Sequence, residues 1–454
     1  TYFRILVMIE ILPLLLFFII CISLLLGYPV AFTLGGVSIL FAMIASLFGL
    51  FDLTLLETMP NRLFGIMTNS TLVAVPLFIF MGVTLEKSKI AELLLTSMSK
   101  LFSRYKSGLG ISILFVGTML AASTGIVGAT VIAMGLISLP AMLKRGYSQK
   151  ISTGLIAATG TLGQIIPPSI ALVILGDVLA TAYQQSQLKI GNYVAKSLSV
   201  GDLFMAAIVP GIILVLIYGL YFVIALRKQD LNTFSESKDD NLFKLISTLV
   251  PPFFLIFAVL GSIILGVASP TEAAGIGALG AILIALFHKK LTIQILKETT
   301  KQSAFISSMV FLILIGASIF SLVFRGLGGE ELITEIFNMI PGGLFGAMIL
   351  VMLLVFILGF ILDFIEITFI VVPIVGPILM AMGADPLWLG VLLAINLQTS
   401  FLTPPFGFAL FYLRSVVPEK IKTETMYEGV LPFIVIQIFV LCLVCLLYTS
   451  PSPR

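Results

Sequence analysis

Charged residues are scarce in this sequence. Asp, Glu, Lys and Arg make up 10% of its 454 residues, hydrophobic residues make up 59%, and the mean hydropathy is +1.19. A soluble globular chain carries about 25% charged residues, and it could not hide so much apolar surface. The composition therefore excludes a soluble protein and predicts an all-α polytopic protein in a lipid bilayer. We expect no nucleic-acid partner.

Cysteine and histidine are also rare. Cys21, Cys442 and Cys445 all lie in apolar runs, which predicts buried thiols and neither a disulfide framework nor a metal site built on cysteine. The single histidine, His288, stands beside two lysines at an expected helix end. We expect no resident cofactor. An intramembrane enzyme is disfavoured, because no core histidine and no H-E-x-x-H or G-x-S-x-G motif with a core base is present.

A Pro-Pro pair occurs twice, each time inside an apolar stretch long enough to cross a bilayer. The first copy is G-T-L-G-Q-I-I-P-P-S at 160–169, and the second is L-Q-T-S-F-L-T-P-P-F-G at 397–407. Adjacent prolines remove two backbone donors and clash with the preceding turn, so each pair must break its helix. Free carbonyl groups in hydrocarbon must face protein, water or an ion. Paired breaks at half-depth are typical of a transporter's binding site.

The doubling extends beyond the prolines and predicts two structural repeats. The offset of 237 residues from Pro167 to Pro404 also relates Pro140 to Pro377 and Gly146 to Gly383. The first repeat covers 8–226, with a helical hairpin at about 109–143 and a broken helix at about 149–183. A linker at 227–243 follows. The second repeat covers 244–448, with a hairpin at about 343–382 and a broken helix at about 386–413. We expect residues 1–7 and 449–454 to be foreign to the native chain.

Lys and Arg predict the orientation of the repeats. The first hairpin stretch is too long for one span and too short for two, and we treat both hairpins as re-entrant. The loops at 98–107, 143–150, 227–244, 288–302 and 414–422 then share one side and hold seventeen Lys and Arg, against three on the other side. The basic side, including the linker, is predicted to be cytoplasmic. The hairpins then enter from opposite sides, which is inverted topology.

Hairpin tips and helix breaks supply the oxygen atoms that a cation needs. Free carbonyls and hydroxyls converging at about 2.3–2.5 Å form such a site. The candidate cation ligands are Ser123, Thr124, Gly125, Thr159 and Gly160 in the first repeat, and Asp363, Thr368, Gln398, Thr399 and Ser400 in the second. Small and hydroxyl residues are also favoured at helix contacts in membranes, so packing is the alternative for each of them.

Two carboxylates and one arginine need separate treatment. Carboxylates inside a membrane segment are costly and usually functional. Asp363, nearer the hairpin tip, is the better ligand, whereas Glu366 is equally well explained as a protonated or paired structural group. Half-helix N-termini favour an anionic substrate. Its candidate contacts are Gly125, Gly163, Ser169, Thr403 and Arg325; a solvated loop charge is the alternative for Arg325.

Several motifs together resemble the large membrane subunit of TRAP transporters, the DctM-like family. They are A-x-S-T-G followed by A-T-V-I-A, G-T-L-G-Q-I-I-P-P-S, S-P-T-E-A-A-G, G-A-D-P-L-W-L-G-V and L-T-P-P-F-G. The resemblance covers about 8–445. The chain departs from the family's usual motifs at Ile126 and Val127 in the first tip and at Gln164 in the first break.

The resemblance implies a sodium-driven elevator-type importer in the bacterial inner membrane. It implies two protein partners, a small four-helix membrane subunit and a periplasmic substrate-binding protein. It also implies carboxylate substrates, such as C4-dicarboxylates or sialic acid, and sodium as the coupling ion. Matching positions give sodium-site roles to Ser123, Gly125, Gly160, Asp363 and Thr399.

Other functions remain as alternatives to this importer. A stand-alone sodium-coupled symporter or exchanger of divalent anions would have the same inverted hairpins but need no binding protein. A channel would lack saturable uptake driven by a sodium gradient.

Overall fold

The structure, a computed structural model, describes residues 2–102, 105–125, 127–193, 197–227 and 242–448. These ranges contain twenty α-helices and no strand, which confirms the predicted all-α class. Residues 228–241 of the expected linker and the C-terminal 449–454 lie outside the described ranges.

Ten helices precede the linker and ten follow it. The first ten are α1 Tyr2–Leu25, α2 Val30–Leu47, α3 Met59–Met67, α4 Ala74–Lys87, α5 Ile90–Leu101, α6 Gly108–Thr124, α7 Val127–Lys144, α8 Gln149–Thr161, α9 Ile170–Lys189 and α10 Val200–Leu226. The second ten are α11 Leu242–Ile264, α12 Pro270–Phe287, α13 Ile293–Gly326, α14 Gly329–Met339, α15 Gly343–Leu358, α16 Phe364–Ile370, α17 Val372–Ala381, α18 Pro386–Leu402, α19 Phe408–Arg414 and α20 Thr423–Tyr448. In the described ranges six helices are long and apolar enough to cross a membrane, and up to nine spans result when each bent pair counts once.

Helix starts follow the capping residues in the sequence. The N-cap Ser269 of α12 accepts a hydrogen bond from the backbone N–H of Glu272, and Glu272 Oε2 accepts one from the Ser269 N–H at 2.7 Å. Pro270 occupies the first helical position, where its missing N–H costs nothing. The motif S-P-T-E therefore forms a capping box that fixes where α12 begins.

Helices are interrupted at both Pro-Pro pairs and within the stretch expected to form the first hairpin. α8 ends at Thr161, a 3-10 turn covers Leu162–Gln164, and α9 starts at Ile170, after Pro167 and Pro168. In the second repeat α18 ends at Leu402 and α19 starts at Phe408. α6 and α7 meet at a turn where Gly125 has a φ of 60°.

Two stretches that the sequence predicts as loops are helical. The loop expected at 288–302 is mostly helix, because α13 begins at Ile293 and no proline or glycine interrupts its first 23 residues. A loop expected at 325–343, on the opposite side, contains α14. Within the expected second hairpin, α16 and α17 are bent by 56° ahead of Pro373.

The chain divides into two compact units, each assembled from separated segments. Unit 1 comprises Thr1–Leu72, Ile174–Leu198 and Phe305–Pro386. Its helices α2 and α13 cross closely: a methyl group added at Gly316 would lie 2.4 Å from the carbonyl oxygen of Ala31. Phe17 of α1 packs on Phe320 of α13, with ring centroids 6.4 Å apart.

Unit 2 comprises Val73–Val173, Ser199–Ala304 and Leu387–Arg454. Its centre is α8, which packs against α6, α7, α19 and α20 and is buried from Ser152 to Thr161. A methyl group added at Gly154 would lie 2.0 Å from the Gly429 carbonyl oxygen of α20, and Lys150 forms an ion pair with Glu428. Small residues thus allow α8 and α20 to approach closely.

Candidate functional site

The first break is closed by a hydrogen bond across it. The hydroxyl of Ser169, after the prolines, donates to the carbonyl oxygen of Gly163, before them. Gly163 itself packs on α6, where an added methyl group would lie 2.4 Å from the Ala121 carbonyl oxygen. Ser169 therefore pairs one carbonyl that the prolines would otherwise leave free.

The tip of the first hairpin touches the same break. Gly125 lies in the left-handed region, and a methyl group added there would come within 2.8 Å of both the nitrogen and Cβ of Ile170. The structure thus brings Gly125 to the start of α9, next to Ser169 in the chain, and the substrate role of both residues stays a prediction. The side chains of Ser123 and Thr124 lie outside the described set, so their ligand roles stay predictions.

Hydroxyl groups near both breaks donate to carbonyl oxygens of the preceding turn. Thr159 donates to Leu155 at 2.6 Å. In α18 and after it, Thr399 donates to Ile395, Ser400 to Leu397 and Thr403 to Thr399, at 2.7 to 2.9 Å. A hydroxyl whose proton is committed in this way keeps its lone pairs as acceptors. The lone pairs of these oxygens therefore remain able to accept, and their ligand role stays a prediction. Gly160, next to Thr159 in α8, packs against Val131.

A buried amide lies just before the second break. Gln398 has no exposed surface, and neither of its amide atoms has a hydrogen-bond partner of good geometry in the described chain. The hydroxyl of Tyr218 and the amide of Gln437 are also fully buried. Tyr218 lies close enough to both amides to interact with them, but none of these three polar groups forms a hydrogen bond of good geometry within the described residues. Tyr218 and Gln437 were not predicted from the sequence, where a single glutamine in the apolar run of α20 was the available signal.

The carboxylates of the second hairpin cap a helix in unit 1. Asp363 is the N-cap of α16: its Oδ1 accepts from the Phe364 N–H at 2.7 Å, and Glu366 Oε2 accepts from the Asp363 N–H at 2.9 Å. The hydroxyl of Thr368, buried one turn further on, has no partner in the described chain. Both carboxylates thus serve a capping box, and no cluster of three or more His, Cys, Asp or Glu suited to a metal occurs in the described residues.

Arg325 is not a loop residue. It lies in the last turn of α13, where its Nε is 2.8 Å from Oε1 of Glu330 and a terminal nitrogen donates to Gln185 Oε1 at 2.9 Å and to the Pro373 carbonyl at 3.3 Å. Glu330 also pairs with Lys189 at 2.7 Å. The alternative of a solvated loop charge is therefore wrong, because Arg325 lies in a helix. Its guanidinium is held in place by three neighbouring groups.

Unit 1 also contains a cavity of about 300 Å³ between α3, α9, α13, α16 and α17. Arg325 lines it, together with four charged or amide residues that were not predicted from the sequence, namely Arg62, Asn69, Asp177 and Gln185. Two of them had a signal in the sequence: Asp177 is an isolated carboxylate in the apolar run of α9, and Arg62 is an isolated arginine in α3.

The predicted residues therefore fall into three groups. Gly125, Gly163 and Ser169 meet at the first break, with Thr159 and Gly160 in the adjoining helix α8. Gln398, Thr399, Ser400 and Thr403 line the second break, also in unit 2. Asp363, Glu366, Thr368 and Arg325 lie in unit 1.

Comparison with known proteins gives consistent matches over nearly the whole chain. The model of the DctM component of tripartite ATP-independent periplasmic transporters matches residues 16–449. The chain is 28% identical over 405 residues to the C4-dicarboxylate TRAP transporter large permease protein DctM of Rhodobacter capsulatus, covering 88% of this chain and 89% of that one. It is 27% identical over 413 residues to the ectoine TRAP transporter large permease protein TeaC of Halomonas elongata, covering 90% and 91%. Among solved structures, the Alcanivorax borkumensis YdaH transporter superposes with a TM-score of 0.62 at 13% identity, over 88% and 89% of the two chains, which is a likeness of fold.

Proposed function

Since the chain belongs to the DctM family of tripartite ATP-independent periplasmic transporters, we propose that this multi-pass membrane permease imports organic-acid carboxylates by sodium symport. C4-dicarboxylates and sialic acid are the substrates that we propose first. A relative whose name specifies C4-dicarboxylates supports this class.

The observation that carries the sodium proposal is the pair of Pro-Pro breaks in buried helices of unit 2. Each break lies beside hydroxyl groups whose protons are already donated to the backbone, including Thr159, Thr399 and Thr403. Sodium is a hard cation that takes oxygen ligands, and such oxygens with available lone pairs suit it. Ser123, Thr124, Gly125 and Gly160 at the first break, with Gln398 and Ser400 at the second, complete the proposed ligand candidates there.

The second hairpin supplies the remaining proposed ligands. Asp363 and Thr368 are the candidates, because a carboxylate has more lone pairs than a cap consumes and the Thr368 oxygen is buried without a partner in the described chain. Substrate contacts are proposed at Gly125, Gly163, Ser169 and Thr403 in unit 2 and, separately, at Arg325 in unit 1.

The proposed partners are a small four-helix membrane subunit and a periplasmic substrate-binding protein. We further propose that the two inverted repeats, 8–226 and 244–448, support an elevator movement, with both hairpins re-entrant. The family match and the two helix breaks support these statements.

The test is uptake into proteoliposomes that contain the large and small membrane subunits. Radiolabelled succinate and sialic acid would be supplied with and without the purified binding protein, under an inward sodium gradient or an equal potassium gradient. We expect saturable uptake only with both sodium and the binding protein. Uptake that needs sodium alone would instead establish a stand-alone symporter, and uptake without any sodium dependence would refute the coupling.

A further inference from the structure

We propose that the cavity of unit 1 binds a small organic anion that also carries a hydrogen-bond donor or a cationic group. Arg62 would hold the anionic end and Asp177 the donor end. The inference rests on the proposed function, because it assumes that the cavity ligand is transported cargo.

Arg62 is the cationic group in this cavity that has no partner. Its side chain is partly buried on α3, and it makes no hydrogen bond or ion pair within the described ranges of the chain. A second guanidinium, that of Arg325, lines the same cavity. Two like charges facing one space repel each other, and an anion between them removes that repulsion while using the planar fork of arginine.

Arg325 contributes positive charge to the cavity, but its guanidinium is already held by other groups of the chain. Its nitrogens contact Glu330, Gln185 and the Pro373 carbonyl, and Glu330 is held in turn by Lys189. Such a network fixes the guanidinium in one orientation. Arg325 is therefore the positioning charge, and Arg62 is the group free to contact the ligand.

Asp177 gives the cavity a negatively charged end, opposite in sign to the two arginines. Both of its carboxylate oxygens accept from the Asn69 amide, at 3.0 and 3.1 Å, and the amide oxygen of Asn69 accepts from the Thr71 N–H at 2.9 Å. The Thr71 bond fixes which way the amide points, so its NH₂ group faces the carboxylate. No cation pairs with Asp177 in the described part of the chain, and a carboxylate keeps further acceptor sites for a ligand's donor.

This bipolar lining selects among organic acids. A plain dicarboxylate that bridged the cavity would place one carboxylate against Asp177, and like charges at close range disfavour that pose. A hydroxy acid or a zwitterion meets both ends with complementary groups. The volume of about 300 Å³ is at the lower end for small-molecule sites and suits such a compact molecule.

Equilibrium binding to the purified complex of both membrane subunits tests the inference without the selectivity of the binding protein. The probes are succinate, which has no donor besides its acid groups, malate, which adds a hydroxyl, and ectoine, a zwitterion. We expect malate or ectoine to bind more tightly than succinate. Arg62→Gln should weaken that binding by about tenfold or more, the loss of one charge-assisted contact, while Arg62→Lys retains part of it.

Matched variants complete the design. Glu57→Gln, at an exposed position just before α3, should leave the affinities for all three probes unchanged. Asp177→Asn should weaken malate or ectoine and reduce their preference over succinate. Failure of malate and ectoine to bind, or equal affinities in wild type, Arg62→Gln and Asp177→Asn, would overturn the inference. If uptake in those variants still depends on sodium and on the binding protein, the proposed function stands even though this inference fails. If wild-type protein shows no such uptake, the proposed function itself is refuted.

Discussion

Gly125 at the first hairpin tip provides the sharpest test of the site geometry. Replacing it with alanine has two separate costs. The residue has a φ of 60°, which L side chains rarely adopt, and the new methyl group would lie 2.8 Å from the nitrogen and Cβ of Ile170. The nitrogen belongs to the backbone of a buried helix and cannot rotate away.

The two costs can be assigned magnitudes. The left-handed conformation costs an alanine roughly 1–2 kcal/mol, and overpacking costs roughly 1–3 kcal/mol more. We therefore expect Gly125→Ala to lower the free energy of unfolding by roughly 2–5 kcal/mol. Because the clash falls at the contact between tip and break, uptake should also fall in the fraction of protein that remains folded.

Two glycines of the same unit separate these costs. Gly146 has a φ of 86° with nothing within 4 Å of an added methyl group, so Gly146→Ala should cost only the conformational part, roughly 1–2 kcal/mol. Gly261 lies inside α11 with the same open space and no positive φ. Gly261→Ala should therefore stabilise by roughly 0.5–1 kcal/mol.

Reversible unfolding in mixed detergent micelles, followed by circular dichroism, measures all three variants under one condition. The order of stability should be Gly261→Ala above wild type, then Gly146→Ala, then Gly125→Ala. If Gly125→Ala costs no more than Gly146→Ala, the tip does not press on Ile170, and the described site geometry is incorrect.

Three further variants test the capping and buried polar groups. Ser269→Ala should lower stability by about 1 kcal/mol by removing the cap of α12, measured in the same unfolding assay, and Ser269→Asp, which can still cap, should not. Asp363→Ala should remove both the cap of α16 and sodium-dependent uptake. Asp363→Asn can still cap, so it should keep most of the stability but lose the sodium dependence of uptake. Unchanged sodium-driven uptake in Asp363→Asn would exclude a ligand role for Asp363. Tyr218→Phe should leave stability within about 1 kcal/mol of wild type or raise it, because the hydroxyl removed has no well-formed hydrogen bond, and a loss above that size would show a partnered hydroxyl.

The sequence alone predicted those parts of the fold that depend on local chemistry. Proline acts on its own helix, so the interruptions at Pro167 and Pro404 could be placed to within a few residues. The stretch expected to form the first hairpin, about 109–143, contains two helices, α6 and α7, which span 108 to 144. The capping box at Ser269 depends on equally local chemistry, because its four residues are consecutive in the sequence.

Features that depend on tertiary packing could not be read in the same way. The polar start of α13 resembles a separate surface arm, and only the packed structure shows one continuous helix through residue 326. The division into two units is likewise invisible to local patterns, because each unit combines three separated segments. Asp363, expected near a hairpin tip, is the N-cap of α16, and the sequence did not show that Glu366 completes its cap.

The candidate site shows the same limit. Residues at the breaks were found because the prolines marked them, whereas Tyr218, Gln437, Arg62 and Asp177 were missed. Each is a single polar residue whose segment gives no other signal. Its role depends on a contact with a residue far away in the sequence, such as that of Asp177 with Asn69. One polar residue in an apolar run therefore signals a partner without identifying it.

The chemistry of unit 2 follows from an imbalance between donors and acceptors. Each proline pair removes two backbone N–H groups while keeping every carbonyl. Nearby hydroxyls then donate their protons to carbonyls of the preceding turn, as Thr159, Thr399 and Thr403 do, and so pair those carbonyls but expose their own lone pairs. The breaks thus carry more acceptor oxygens than donors without any carboxylate of their own. In hydrocarbon such a surplus is unfavourable until a donor or a cation satisfies it. A cation brings no acceptor of its own, so this surplus is the physical reason why sodium is the coupling ion that we propose.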